Sequence, residues 1–180
     1  MPTIITHGIA GFIGGKLFSD SEKLKFRVLS ILVPVIPDAD VIGFRFGISY
    51  DSMLGHRGFS HSIVFSVIIA LIVMFAAFRE IGFGSKKWYQ YAAFFFIISL
   101  SHCILDMFTN GGLGVGLFIP LIDERFFSPF RPIEVSPISI RRFLDGSALF
   151  VLVSEIIWVW LPLFAAYSIK ILIKKYKTNK

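Results

Sequence analysis

Residues 62–78 read Ser62-Ile63-Val64-Phe65-Ser66-Val67-Ile68-Ile69-Ala70-Leu71-Ile72-Val73-Met74-Phe75-Ala76-Ala77-Phe78, and no charged side chain interrupts them before Arg79-Glu80. A run of this length and apolarity suits a helix that crosses a bilayer, where every backbone polar group must be satisfied within the segment. The expected fold is therefore all-α, a polytopic transmembrane helix bundle. The run is also entered from His61, so this span begins beside a side chain that can bind metal.

Working outward, Gly82 to Lys87 reads as a turn. Trp88-Tyr89-Gln90-Tyr91 reads as an interfacial aromatic belt, and Ala92 to Leu105 as the next span. Asn110 to Phe143 is too rich in Gly and Pro for long regular elements. The last span, Ser147 to Ile173, holds Trp158, Trp160 and Pro162 and runs into Lys174-Lys175-Tyr176-Lys177.

Towards the N-terminus, Asp40 to Gly58 is a mixed loop with room for a short helix. Phe26 to Ile36 is a short apolar run closed by Pro37, and Ser19-Asp20-Ser21-Glu22-Lys23-Leu24-Lys25 is a charged loop or helix start. Ile4 to Phe18 carries Gly8, Gly11, Gly14 and Gly15, small residues that let helices approach closely. These first two runs are short for a full crossing. No repeat or linker divides the chain, which reads as one domain over 1–180.

Composition agrees. Hydrophobic residues make up 55% of the 180 and charged residues 17%, and mean hydropathy is +0.75. That exceeds what one soluble core of this size needs, so lipid must cover the excess. The net charge of +6 is not a nucleic-acid footprint, because the basic residues cluster at the ends of apolar runs. Met1-Pro2-Thr3 lacks the basic start of a signal peptide. Cys103 stands alone, so no internal disulfide forms, and it reads as a small buried hydrophobe.

The basic flanks set an orientation. Lys16, Lys23, Lys25 and Arg27, then Arg79, Lys86 and Lys87, then Lys170, Lys174, Lys175, Lys177 and Lys180 fall on the cytoplasmic side by the positive-inside rule. His7, Asp38, His56, His61, His102 and Asp106 then all fall at the opposite, outer ends of the helices.

Those residues carry the chemistry. His102 and Asp106 stand four apart in a helical run and share a face, a geometry for a common metal. His56 and His61 flank Arg57-Gly58-Phe59-Ser60, a loop that can turn both imidazoles towards one ion, or His61 alone. Arg57 reads equally as a phosphate clamp or an interfacial anchor. Asp38 and Asp40 follow Pro37 and serve either as turn formers or as metal carboxylates. Glu155 lies inside the last apolar run with no basic residue near it in sequence, which makes it a candidate ligand, base or orienting group. Gly111-Gly112-Leu113-Gly114-Val115-Gly116 lacks the strand and the Lys-Ser/Thr of a phosphate loop, and reads as a lid or re-entrant turn.

Taken in order, Thr6-His7, Pro37-Asp38-Ala39-Asp40, His56-Arg57-Gly58-Phe59-Ser60-His61-Ser62 and Ser101-His102 with Asp106 and Thr109 resemble the YdjM-like inner-membrane metal-dependent hydrolases. The resemblance covers roughly residues 1 to 120, the Pro120 region and the last span. Its ligand pattern is similar to that of the all-helical zinc phospholipase C and nuclease group. It implies His7, Asp38, His61, His102 and Asp106 as metal ligands, with Glu155 as a further one. The second helical His/Glu pair of the soluble enzymes is absent, which argues against a three-metal site.

The sequence thus leads to a membrane-bound hydrolase of the bacterial-type inner membrane, with its site on the non-cytoplasmic side. A divalent metal, zinc by the resemblance, would lower the pKa of a bound water. Asp40 or Glu155 would act as base and Arg57 would meet a phosphoryl oxygen. The expected partners are the membrane and a lipid or lipid-linked phosphoester, with no nucleic acid; no oligomeric state is indicated. The competing expectation is a structural or transported metal in a non-enzymatic membrane protein, or an anchor for a partner.

Overall fold

Among the described residues, five longer helices organise the fold: α1 (Ile4–Phe18), α2 (Leu24–Leu32), α3 (Ile63–Ala77), α4 (Lys86–Met107) and α5 (Ala148–Thr178). They come from a computed structural model that describes residues 1–19 and 22–179. The reading of Asp20-Ser21 as loop and of Lys180 as a basic flank lies outside the described residues. Among these residues, extended pairing is confined to two isolated bridges, Thr109 with Ile133 and Val115 with Phe126. The all-α expectation stands.

Local chemistry sets the helix starts. Ser62 Oγ accepts the Phe65 amide at 3.0 Å and Ser85 Oγ accepts the Trp88 amide at 3.2 Å, so α3 and α4 open on serine caps. Thr3 does the same for α1, accepting from the Thr6 amide at 3.3 Å. Gly11 then lets α1 lie directly on α2, because a Cβ there would fall 2.0 Å from the Ser30 carbonyl oxygen.

Pro37 does not close the second apolar run. The chain leaves α2 and continues as a 3₁₀ segment, Val33–Phe46, through Pro34 and Pro37 until Gly47 ends it at φ 76°. Pro34 falls in the first turn of this segment, where its missing N–H would be unpaired anyway, and Pro37 forgoes one ladder bond inside it. This segment carries Asp38 and Asp40 into the protein.

Phe26 centres the packing at one end, with the rings of Tyr91, Phe94 and Phe95 at 4.8, 4.8 and 5.3 Å. Trp88 is buried against Phe75 and Phe83 rather than lying in a surface belt, while Tyr89 is exposed. Lys25 reaches Glu80 at 2.8 Å, and Lys170 donates to the Lys16 carbonyl. The C-terminal ends of α1, α3 and α5 thus meet the N-terminal ends of α2 and α4 at one basic pole. The histidines occupy the other.

Two helices, α4 and α5, are long and apolar enough to cross a membrane. α3 has 15 residues and is about 22 Å long at about 1.5 Å per residue, short of a hydrocarbon core of about 30 Å. Residues 62–78, expected to form a crossing helix, give a shorter apolar one, because the helix starts only after its Ser62 cap and ends at Ala77. α5 is continuous, with a π-helical turn over Ile156–Trp160 just before Pro162. The wider turn relieves the clash a proline ring makes with the carbonyl four residues back.

Candidate metal centre

Four buried side chains converge at the pole opposite the lysines. His61 comes from the 3₁₀ turn before α3, His102 and Asp106 from the last turns of α4, and Asp38 from the 3₁₀ segment. One ligand atom from each lies within 4.8 Å of all the others. The Nε2 atoms of His61 and His102 are 2.9 Å apart.

That contact is informative because both Nδ1 atoms are engaged. His102 Nδ1 donates to the Pro34 carbonyl at 2.7 Å. His61 Nδ1 faces Ser60 Oγ at 2.9 Å and Asp40 Oδ2 at 3.2 Å. Neutral rings held this way would turn two Nε2 lone pairs on each other, which is repulsive unless a cation sits between them. In the chain alone a proton can serve. Burial disfavours charge on His61, but hydrogen bonds with Asp38 and Asp40 raise its pKa to about 9.

A metal fits better than a proton, because more atoms need it. His7 Nδ1 and Nε2, both carboxylate oxygens of Asp38 and Asp106 Oδ1 are buried without a hydrogen-bond partner among the described residues. Buried polar atoms are nearly always partnered, and a divalent ion would satisfy the carboxylate oxygens and one of the two His7 ring nitrogens. His7 stacks on His102 with ring centroids 3.8 Å apart, and its Nε2 stands 3.5 Å from Asp106 Oδ1. Imidazole and carboxylate are the donors of Zn, Mn and non-haem Fe sites.

Around this centre the remaining candidates have other partners. Asp40 accepts from His56 Nδ1 at 2.7 Å, from the Arg57 amide at 3.2 Å and from Ser60 Oγ. Burial would raise the Asp40 pKa, but His56 and His61 hold it well below the usual carboxylate range.

Arg57 is fully buried with φ 64°. Its Nε donates to Asp106 Oδ2 at 3.0 Å, Nη1 to the carbonyls of Gly111 and Leu113 at 2.9 and 3.0 Å, and Nη2 to Thr109 Oγ1 at 2.8 Å. The Gly116 amide closes the clasp on the Arg57 carbonyl at 2.8 Å. The glycine segment is therefore pinned to Arg57.

Glu155 lies apart from the cluster. It accepts from the Thr3 amide, from Thr3 Oγ at 2.7 Å and from Thr6 Oγ at 2.6 Å, while Trp160 Nε1 donates to the same Thr6 hydroxyl at 2.7 Å. α5 thus holds the first turn of α1, and with it His7.

His7, Asp38, His61, His102 and Asp106 are brought together as a set. His56 falls instead in a second group with Asp40 and His61. The orienting atoms on Pro34, Ser60, Thr3, Thr6 and Trp160 had no ligand chemistry to mark them; only Thr6, beside His7, and Ser60, inside the His56–His61 motif, carried any signal.

The all-helical chain thus combines two helices long and apolar enough to cross a membrane with a buried His/Asp cluster that could hold a metal ion. The chain belongs to the YdjM inner membrane protein family, which residues 1–178 match. It is similar to the inner membrane protein YbcI of Escherichia coli (strain K12), at 39% identity over 163 residues, covering 90% of this chain and 92% of that one. No solved structure matches it.

Proposed function

We propose that this chain is a polytopic, membrane-bound, metal-dependent hydrolase, acting at the outer face of the inner membrane on a phosphoester of a lipid or lipid-linked substrate. The observation that carries the reading is the 2.9 Å approach of the His61 and His102 Nε2 atoms beside the unpartnered oxygens of Asp38 and Asp106. A divalent ion bound there, zinc by the family resemblance, would supply Lewis acidity and a bound water of lowered pKa.

The residues divide the work by their contacts. His61, His102, Asp38 and Asp106 would hold the ion, and His7 offers a fifth donor against the same carboxylate. Asp40 fixes the His61 tautomer, which suits an orienting group better than a base. Arg57 offsets the Asp106 charge and fixes the loop above it; four of its donors are engaged within the protein, so a phosphoryl contact is not its role. Glu155 positions α1 and is withdrawn from the base role by its threonine partners. The outer-facing orientation rests on the basic pole lying at the far end of the bundle.

A second reading draws on one observation: four protein donors, all buried, also describe a closed structural metal site. Metal content of detergent-purified protein, measured beside release of phosphate ester from a phospholipid, separates the two. Metal with hydrolysis, both lost in His102→Ala/Asp106→Ala, supports the hydrolase. Metal without hydrolysis supports the structural site, and a folded protein that takes up neither zinc nor manganese overturns both.

A further inference from the structure

A cavity of about 300 Å³ opens between α1, α4 and α5, lined by Ala10, Gly14, Ile98, Ile104, Leu105 and Leu163 among others. It exists because α1 presents small residues there and because the Leu161–Thr178 half of α5 buries no residue of its own. The hydroxyl on its wall, Ser101 Oγ, donates back to the Ile98 carbonyl at 2.8 Å. The lining is otherwise apolar and offers nothing for a polar ligand to bind.

Two relationships say what would occupy it. The groove lies against α4 and α5, the two helices of spanning length, with Ile97, Ile157 and Phe164 exposed on the same helices, so in a bilayer its mouth would face hydrocarbon. Ser101, Ile104 and Leu105 interleave in sequence with His102 and Asp106 on the same turns of α4. His102 and Asp106 turn to the candidate metal centre, and Ser101 and Leu105, the residues just before them, line the groove beside it. Ile98 and Gly14 line it further along their helices towards the basic pole.

We infer that this groove is the seat of one acyl chain of the substrate lipid, with the headgroup phosphoester at the level of His102 and Asp106. The inference rests on the hydrolase reading and narrows its substrate to lipids with a long hydrocarbon chain. Binding in such a preformed apolar slot discriminates by chain length, each buried methylene contributing to the difference between a long-chain lipid and its short-chain analogue.

The test uses the full chain in vesicles of phosphatidylethanolamine and phosphatidylglycerol doped with a phospholipid that carries a photoactivatable group on one acyl chain. The expected result is saturable labelling at Ile104, Leu105 or Leu163, reduced several-fold in Ile104→Trp/Leu163→Trp, with metal content unchanged. In that variant, hydrolysis of a long-chain phospholipid should fall while that of a short-chain phosphodiester persists. Unsaturable labelling, spread equally over Ile97, Ile157 and Phe164, would mean ordinary boundary lipid and would overturn the groove. Saturable labelling of a chain that binds no metal would support the groove and overturn the hydrolase reading, so the two failures are distinct.

Discussion

The Arg57 guanidinium meets the Asp106 carboxylate, Nε to Oδ2 at 3.0 Å, with both side chains fully buried. Removing one member of such a pair leaves a buried charge uncompensated, a loss of about 3–5 kcal/mol. Arg57→Met should therefore lower folding stability by about that amount, read as the shift in denaturant midpoint in mixed micelles. Arg57→Lys should recover only part of it, because one ammonium cannot reproduce a fork that reaches Asp106, Thr109, Gly111 and Leu113. A loss below about 1 kcal/mol for the Met variant would remove Arg57 from its central structural place.

Asp40 tests the layer behind the metal ligands. Asp40→Asn keeps the shape but weakens the hold on the His61 tautomer, and metal affinity should drop about 10–100-fold. Competition with a coloured chelator measures this. An affinity equal to that of the parent chain would show that Ser60 alone orients His61.

Gly11 gives a prediction with an internal control. A Cβ at Gly11 would meet backbone, the Ser30 carbonyl oxygen at 2.0 Å, whereas one at Gly82 meets nothing within 4 Å. Gly11→Ala should cost about 1–3 kcal/mol as α1 is pushed off α2, and Gly82→Ala should be close to neutral. Equal effects at both positions would count against the close α1–α2 approach.

Sidedness can be read by chemical labelling. Leu113→Cys places a thiol on the partly exposed glycine segment, while the native Cys103 is fully buried and should stay silent. A membrane-impermeant maleimide should label the variant in intact spheroplasts. Labelling only after permeabilisation would place the metal centre on the cytoplasmic side.

Much of the candidate centre could be read from the sequence because the residues that could hold a metal sit in short local patterns. His102 and Asp106 share a helix face by spacing alone, and His61 closes a motif that also holds its orienting Ser60. The roles of Arg57, Asp40 and Glu155 could not be read that way. Their partners lie far along the chain, from Asp40 to the His56 ring, from Arg57 to Gly111 and from Glu155 to Thr3. Only folding decides that these polar atoms meet protein instead of substrate. Pro37 misled for a different reason: a helix breaker in an α-helix is tolerated in a 3₁₀ winding, and residue type does not reveal which winding packing will select.

The contact of Glu155 with Thr3 and Thr6 joins positions 152 and 149 residues apart. During synthesis α1 emerges first, yet the carboxylate that holds its opening turn arrives only with the final helix. The hydrogen bonds that hold the turn before His7 are therefore complete only once that last segment is in place. A nascent chain halted before α5 would carry all five candidate ligands but lack the clamp on the turn that leads to the first of them.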